Sequence, residues 1–181
     1  MKEMIEKINF FKKEQNAIIL AHTYTHPEVQ DIADFVGDSY GLSKKAADAG
    51  DFDTIVFAGV RFMAETAKIL SPQRKVLLPV LAAGCPMADM IDEHQLAKFK
   101  SENPGAKVVC YVNSDVRTKA LSDVCVTSSN AVKIVKKLDA EKILFVPDMH
   151  LGSYVAELIP EKEIICWKGF CPVHHAVKPE D

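Results

Sequence analysis

The sequence predicts an α/β fold built from two repeated Rossmann-like units, each with a parallel sheet. Short, continuously apolar runs alternate with segments of helical spacing along the chain. Such unbroken runs are typical of parallel strands that are buried on both faces. In addition, two stretches of the chain resemble each other, and each ends in a Cys-Pro dipeptide. A repeat of this length indicates one supersecondary unit used twice, so equivalent positions should be related by a pseudo-rotation.

The predicted strands are short apolar runs, most of them rich in β-branched residues. They are Ala17–Ala21, Thr54–Ala58, Val76–Pro79, Val108–Val112, Val124–Thr127, Lys142–Val146 and Glu163–Cys166. Segments with apolar residues at helical spacing lie between them, at Pro27–Val36, Arg61–Leu70, Asp89–Lys100, Asn130–Leu138 and Leu151–Ile159. Strands that alternate with helices in this way predict helices that cover a parallel sheet.

The two halves of the chain align over most of their length. Adding 89 to the residue numbers of the first set gives the second set: His22, Tyr24, Asp34 and Ser39 match Tyr111, Asn113, Asp123 and Ser128. Further along, Cys85 matches Cys171. We therefore expect two α/β repeat domains, residues 1–87 and 88–181, the second with a short C-terminal tail. The sequence between them is not rich in Pro, Ser or Gly, which predicts close packing of the two.

Composition and charge exclude several classes of protein. The chain has 181 residues, 48% of them hydrophobic, and a net charge of −3, which is typical of a soluble globular protein. It has no run of Lys and Arg that could contact nucleic-acid phosphates. It also has no apolar run long enough to cross a bilayer, and its start lacks the apolar core of a signal peptide. We expect a cytoplasmic protein that binds neither nucleic acid nor membrane.

Polar and aromatic side chains follow two of the predicted strands. His22 and Tyr24 come directly after the first strand, and Tyr111 and Asn113 lie at the end of its equivalent in the second repeat. Ligands of parallel α/β sheets bind beyond the carboxyl ends of the strands. Imidazole, phenol and amide groups at such an edge favour a small polyanionic substrate that carries carboxylate or phosphate.

Two serines lie where strands are predicted to give way to helices. At Ser39 and Ser128 the hydroxyl can cap the following helix, or it can face an anion together with backbone N–H groups. The match of the two serines across the repeat favours a shared role. Asp148 and His150 follow another strand and are candidates for a supporting position at the same edge.

Cys85 and Cys171 are candidate metal ligands. Each precedes proline in a predicted turn, a frequent context for cysteines that bind iron–sulfur clusters. Zinc is an alternative at Cys171 with His174 and His175, but these residues alone do not complete a tetrahedral site. The other cysteines have no predicted ligand role. Cys110 and Cys125 fall inside apolar runs and are expected to be buried structural thiols, and Cys166 is assigned no role.

Seven motifs, taken in order, resemble those of the quinolinate synthase family. They are Ala21–Tyr24, Asp31–Ser39, Gly59–Leu70, Cys85–Ala88, Tyr111–Ser114, Thr127–Val132 and Cys171–His174. The resemblance covers nearly the whole chain. It implies a transferase that condenses iminoaspartate with dihydroxyacetone phosphate to form quinolinate, in the de novo biosynthesis of NAD and hence of pyridine nucleotides.

The resemblance also implies an oxygen-sensitive [4Fe–4S] cluster. The family fold has three α/β domains around a pseudo-threefold axis, and each domain donates one cysteine to the cluster. This chain matches two of these domains, so we expect a truncated chain that lacks the third domain and its cysteine. By resemblance, Cys85 and Cys171 bind the cluster, and His22 and Tyr24 are catalytic. The residues that match substrate contacts are His22, Ser39, Tyr111, Asn113 and Ser128.

Two alternatives stay open at this point. A homo-oligomer can complete a cluster with Cys85 and Cys171 from different chains. From another functional class, a non-catalytic and metal-free module can bind a phosphorylated triose or a dicarboxylate. If neither another chain nor a third domain contributes the missing ligand, we expect the isolated chain to be inactive.

Overall fold

The computed structural model describes residues 2–48, 50–178 and 180. The chain forms two compact units, Met1–Gly84 and Cys85–Asp181. Each unit contains a four-stranded sheet in which all paired strands are parallel. This confirms the predicted Rossmann-like α/β class. The pseudo-rotation and the domain limits at residues 87 and 88 stay predictions.

The first unit alternates helices and strands along the chain. Its elements are α1 (Lys2–Glu14), β1 (Ala17–His22), α2 (Pro27–Gln30), β2 (Phe35–Gly37), α3 (Ser39–Ala47), β3 (Thr54–Ala58), α4 (Arg61–Leu70) and β4 (Lys75–Leu77). The strand order is β2-β1-β3-β4. All six residues of the inner strand β1 are buried, as the continuous apolar run predicts.

The second unit has the same strand topology. Its elements are a 3₁₀ turn (Ala88–Met90), α5 (Glu93–Ser101), β5 (Lys107–Tyr111), α6 (Val116–Ala120), β6 (Val124–Val126), α7 (Ala131–Lys137), β7 (Lys142–Val146), α8 (Met149–Leu158), β8 (Glu163–Cys166) and α9 (Pro172–Ala176). The strand order is β6-β5-β7-β8, the counterpart of the order in the first unit.

Both faces of the second sheet are buried. One face forms a cluster with side chains of α7 and α8, made of Val109, Val126, Ala131, Val135, Ile143, Phe145, Val155 and Ile159. The other face packs in a second cluster, made of Ile91, Leu96, Val108, Cys110, Leu144 and Val146. Full burial of a large apolar side chain contributes about 1.5–3 kcal/mol to folding, so these inner strands fix the positions of the strand ends that follow them.

A matched pair of aspartates anchors the edge strand of each sheet. Asp34 Oδ2 accepts a hydrogen bond of 2.8 Å from the Ile19 backbone N–H, and Asp123 Oδ2 accepts one of 2.8 Å from Val108. The other carboxylate oxygen pairs with a lysine in both units, Lys12 at 2.6 Å and Lys107 at 2.8 Å. The two aspartates of the repeat are therefore structural residues that join the edge strand to the inner strand.

The predicted helix Pro27–Val36 is wrong in its second half. Helix α2 ends at Gln30, and Phe35–Gly37 forms the edge strand β2 beside β1. The bond from Ile19 N–H to Asp34 holds the chain in register with β1 immediately before β2 begins. The spacing of apolar residues within a segment carries no information about this pairing with a distant strand. No bounds were predicted for helices α1, α3, α6 and α9, whereas the other predicted elements agree with the structure to within a few residues.

Candidate functional site

His22 lies at the carboxyl end of β1 in the first unit and is 7% exposed. Its Nδ1 accepts a hydrogen bond of 3.1 Å from the Tyr24 backbone N–H. The neutral imidazole therefore carries its proton on Nε2, which makes that nitrogen a hydrogen-bond donor. The Tyr24 ring contacts the imidazole edge-to-face, with 4.6 Å between ring centroids, although Tyr24 itself is 89% exposed.

Burial keeps His22 neutral. Desolvation lowers the pKa of His22, and the nearby carboxylate of Asp38 opposes this by favouring the imidazolium. Burial is the larger effect. The strand end of the first unit thus presents a neutral N–H donor near a carboxylate. This N–H is suited to donate a hydrogen bond to an oxygen of a bound molecule.

Ser39 is the first residue of α3, but the cap of this helix is Asp38. The Asp38 side chain accepts a hydrogen bond of 2.7 Å from the Gly41 backbone N–H. In the second unit Asn130 occupies the N-cap of α7, and Ser128 lies before it in the loop after β6. The interpretation of the two serines as helix caps is therefore wrong, because in each case another polar residue takes that position.

Tyr111 lies at the carboxyl end of β5, at the position equivalent to His22. Its phenol is half-buried, and the Ser128 side chain acts to lower the pKa of this phenol, which indicates that these two predicted residues lie close together. Asn113 follows two residues later. Within the part of the chain that the structure describes, its buried side-chain oxygen Oδ1 has no hydrogen-bond partner. An unpaired buried acceptor costs about 1–3 kcal/mol, so a bound hydroxyl or N–H group would remove this cost.

The two Cys-Pro turns of the second unit are held by Met90. The Cys85 carbonyl accepts a hydrogen bond from the Asp89 N–H at 3.1 Å, which begins the 3₁₀ turn that ends at Met90. Met90 then accepts two bonds from the segment before Cys171. Its carbonyl accepts the Trp167 Nε1–H at 2.9 Å, and its Sδ accepts the Phe170 N–H at 3.2 Å. Residues 77 and 80 positions apart in the sequence are thereby joined.

A glycine lets the Cys171 segment approach the strand end of β7. A Cβ on Gly169 would lie 2.5 Å from the Pro147 carbonyl oxygen, closer than real side-chain atoms come. Gly169 forms a parallel bridge with Asp148, and its carbonyl accepts the Met149 N–H at 2.8 Å. Asp148 is 5% exposed and caps α8 through bonds to the N–H groups of His150 and Leu151.

The phenol of Tyr111 experiences the charges of Asp148, Cys85 and Cys171. Burial raises the pKa of Tyr111 most, hydrogen bonding to Ser128 opposes this rise, and the negative charges of those three side chains add to it. The thiols of both Cys-Pro turns therefore lie within electrostatic range of one phenol. Both cysteines are free and partly exposed, so their sulfur atoms are accessible to a ligand.

The chain also matches known proteins. The family described as Quinolinate synthetase A protein matches residues 6–181. This chain belongs to that family. A quinolinate synthase of Alkaliphilus metalliredigens is 59% identical over 175 residues, which cover 97% of this chain and 57% of that protein. One of Clostridium acetobutylicum is 62% identical over 176 residues, which cover 97% of this chain and 58% of the relative.

The chain spans less than three-fifths of the length of these quinolinate synthases. A more divergent relative, from Aquifex aeolicus, is 56% identical and is covered to a similar extent, 54% of its length. No helix among the described residues has the length and apolar character needed to span a lipid bilayer.

Cys85 and Cys171 stay candidate metal ligands, because no group of three possible ligands forms in the described structure. Across residues 2–48, 50–178 and 180, no three His, Cys, Asp or Glu side chains converge as metal ligands. The predicted zinc set of Cys171, His174 and His175 is therefore not assembled. His175 Nδ1 instead lies 2.9 Å from His150 Nε2.

Sequence reasoning missed the residues that join the two Cys-Pro segments. Met90 and Trp167 join the two Cys-Pro turns, yet each reads as an ordinary apolar residue. The one available signal is the lone tryptophan of the chain, located shortly before Cys171. Its ring N–H requires an acceptor when buried, but the sequence does not identify the Met90 carbonyl as that acceptor. Asp148 was predicted only as a supporting residue; the structure shows it as the cap of α8, and its supporting role at the site stays a prediction.

Proposed function

We propose that this chain supplies two α/β units of a quinolinate synthase, which condenses iminoaspartate with dihydroxyacetone phosphate in the cytoplasm for NAD biosynthesis. The observation that carries the proposal is that both Cys-Pro turns belong to the second unit, are joined through Met90, and have free thiols within electrostatic range of the Tyr111 phenol. Membership of the family supports it independently. Each unit thus contributes a strand end with neutral hydrogen-bonding groups, and the second unit also contributes two thiols.

In this proposal Cys85 and Cys171 are two protein ligands of a [4Fe–4S] cluster, and the third ligand comes from outside this chain's sequence. Iron–sulfur clusters are held by cysteine thiolates, and partly exposed free thiols fit that requirement. When bound, a cluster with three protein ligands supplies an iron with an open coordination position, which acts as a Lewis acid.

The phenol of Tyr111 stays protonated and donates to substrate. In this proposal the Ser128 hydroxyl donates a hydrogen bond to the phenol oxygen. The phenolic hydrogen is then available to an oxygen of the bound molecule. Nearby, Asn113 Oδ1 accepts a hydrogen bond from a substrate hydroxyl and thereby gains the partner that it lacks. Together these groups orient a hydroxylated, carbonyl-bearing substrate.

His22 donates its Nε2–H to a substrate oxygen. Its Nδ1 is occupied by the Tyr24 backbone N–H, so the imidazole holds one tautomer and one orientation. Tyr24 covers the ring and supports this orientation. The Ser39 hydroxyl, at the start of α3, is placed to hydrogen-bond a phosphate or carboxylate together with the first N–H groups of the helix.

The test is reconstitution of activity. The chain is mixed, under anaerobic conditions with iron and sulfide, with the part of the Clostridium acetobutylicum relative that it does not match. We expect quinolinate to form from iminoaspartate and dihydroxyacetone phosphate. Cys85→Ser or Cys171→Ser should reduce the rate by about 100-fold or more, since electrostatic stabilisation of a transition state is worth that much. Cys166→Ser is the matched control and should retain the rate.

A folded mixture that binds the cluster yet forms no quinolinate would overturn the proposal. The metal-free module makes a different prediction for the isolated chain. If the chain binds dihydroxyacetone phosphate saturably without iron, with equal affinity in the Cys85→Ser variant and without quinolinate formation in the mixture, the module is the correct function.

A further inference from the structure

Cys110 and Cys125 form a pair of thiols on neighbouring strands of the second unit. Cys110 on β5 and Cys125 on β6 are direct partners in the parallel ladder. Directly paired residues of adjacent parallel strands lie on the same face of the sheet, with strands about 4.8 Å apart. This spacing falls within the range of roughly 4.4–6.8 Å between Cα atoms that a disulfide spans.

The two thiols differ sharply in exposure. Cys110 is 0% exposed and belongs to the apolar cluster of Ile91, Leu96, Val108, Leu144 and Val146. Cys125, by contrast, is exposed, because β6 is an edge strand of its sheet. The sequence prediction that Cys125 is a buried structural thiol is therefore wrong. The pair has one sulfur that meets solvent and one that meets only its neighbours.

The surroundings shift the pKa values of the two thiols in opposite directions. The pKa of Cys125 is lowered to about 7, chiefly by a hydrogen bond from the Cys110 thiol, and the Lys119 ammonium lowers it further. The pKa of Cys110 is raised by that same bond and by burial. Cys110 Sγ also lies 3.3 Å from the Tyr111 carbonyl oxygen, the alternative acceptor for its single hydrogen.

The repeat shows that the fold does not require these thiols. The positions 89 residues earlier are Ala21 and Val36, which are likewise direct partners between β1 and β2. The first unit therefore forms the same strand pair with an alanine and a valine. Packing of this strand pair therefore does not require a cysteine at either position.

We propose that Cys110 and Cys125 are a peroxide-reactive thiol pair, in which Cys125 is the attacking thiol and Cys110 the resolving thiol. The Cys125 thiolate attacks hydrogen peroxide, an S–O bond forms, the O–O bond breaks, and hydroxide leaves and is protonated to water. Cys110 sulfur then attacks the Cys125 sulfur. The S–S bond forms, the S–O bond breaks, and the leaving hydroxide takes the Cys110 proton. Two thiols are oxidised by two electrons, and one peroxide is reduced to two waters.

Peptide mapping tests this in the intact chain. Trypsin cleavage after Lys107, Arg117, Lys119 and Lys133 places Cys110 in residues 108–117 and Cys125 in residues 120–133. Cys85, Cys166 and Cys171 fall in three further peptides. Metal-free protein is treated with limiting peroxide at pH 7, alkylated and digested. We expect a disulfide between peptides 108–117 and 120–133 as the first product that involves either cysteine.

Reaction rates give a second measurement. At pH 7 about half of a thiol with a pKa near 7 is thiolate, against a few per cent of an ordinary thiol. A thiolate of lower pKa is also a weaker nucleophile, which offsets part of the rate gained from the larger thiolate fraction. We expect iodoacetamide to alkylate Cys125 at least about threefold faster than Cys166, whose pKa burial raises. Lys119→Gln should slow the Cys125 reaction, and Lys136→Gln on helix α7 is the control that should not.

The matched variants take the residues of the first unit at each position. With Cys125→Val, Cys110 should stay reduced at the same peroxide dose. With Cys110→Ala, Cys125 should accumulate as a sulfenic acid that dimedone labels. The proposal is overturned if wild-type protein shows no 108–117 to 120–133 disulfide, or if Cys125 is alkylated no faster than Cys166. These wild-type results stand whether or not the variants fold.

Discussion

The two units place different side chains at the same strand end, and burial keeps both neutral. His22 ends β1, and Tyr111 occupies the equivalent position on β5. Burial lowers the pKa of the histidine and raises that of the tyrosine. Desolvation disfavours whichever form is charged, so both residues become uncharged hydrogen-bonding groups. Each strand end therefore presents an N–H or O–H donor rather than a charge.

The units share their scaffold but differ in packing. Both use an aspartate to join the edge strand to the inner strand, and both use a cation at equivalent positions, Arg74 and Lys162, to bind carbonyl groups in the segments before β3 and β7. The helix after the third strand differs. Gly152 in α8 corresponds to Ala64 in α4, at an offset of 88 residues. The two units therefore share these scaffold contacts but differ in the residue at this helix position.

The largest effect is expected where the packing differs. A Cβ at Gly152 would lie 2.6 Å from Cys166 Sγ and 3.0 Å from the Phe145 ring. Gly152→Ala should lower the free energy of unfolding by about 1–3 kcal/mol, because overpacking forces its neighbours to shift. Urea denaturation followed by circular dichroism measures this. Cys166→Ala in the same chain should restore part of the loss, since it removes the closest atom. A Gly152→Ala protein as stable as wild type would show that α8 is not closely packed.

A smaller effect is expected at the aspartates that the units share. Asp34→Ala and Asp123→Ala each remove an acceptor from a strand N–H and a partner from a lysine. Each should lower the free energy of unfolding by about 1–2 kcal/mol, the cost of a lost bond to a charged group that is partly exposed. Asp34→Asn and Asp123→Asn retain an acceptor oxygen, so they should lower the free energy of unfolding by less than the Ala variants do. Equal losses for Ala and Asn would mean that charge alone matters.

The stability contributed by Asp123 also depends on pH. Burial tends to raise the pKa of Asp123, but hydrogen bonds from Lys107 and the Val108 backbone outweigh it, so the pKa lies below its usual value. A group with a depressed folded-state pKa stabilises the protein above its unfolded pKa, near 3.9, and loses this contribution as pH falls through the folded value. The difference between wild type and Asp123→Ala should therefore shrink in acid below about pH 4.

The sequence predicted the inner strands of each unit better than it predicted the edge strands. Continuous apolar runs are sufficient to identify β1, β3, β5 and β7, because burial on both faces leaves a clear pattern. Edge strands carry less of this pattern. Phe35–Gly37 was therefore read as helix, and Cys125 was read as buried although its strand has solvent on one side.

Long-range contacts explain the remaining errors. The Met90 bonds to Trp167 and Phe170 join segments that are distant in sequence, and no local spacing encodes them. For the two serines, a helix cap was one of two alternatives, because the sequence does not decide which of several neighbouring polar residues caps a helix. Asp38 is one residue before Ser39 and has the stronger acceptor, so it takes the cap and leaves the hydroxyl for another role.

The smallest effect, and the sharpest test of the two strand ends, is the titration of His22. Its pKa lies below the ordinary value near 6.5 because it is buried. The unfolded chain therefore binds a proton before the folded chain does as pH falls, so this residue makes the folded state less stable below about pH 6.5. His22→Gln should flatten that part of the stability profile, whereas Tyr111→Phe should leave it unchanged. NMR titration of the imidazole resolves the shift directly, and a His22 pKa at or above the exposed histidines would show that the strand end of the first unit is not desolvated.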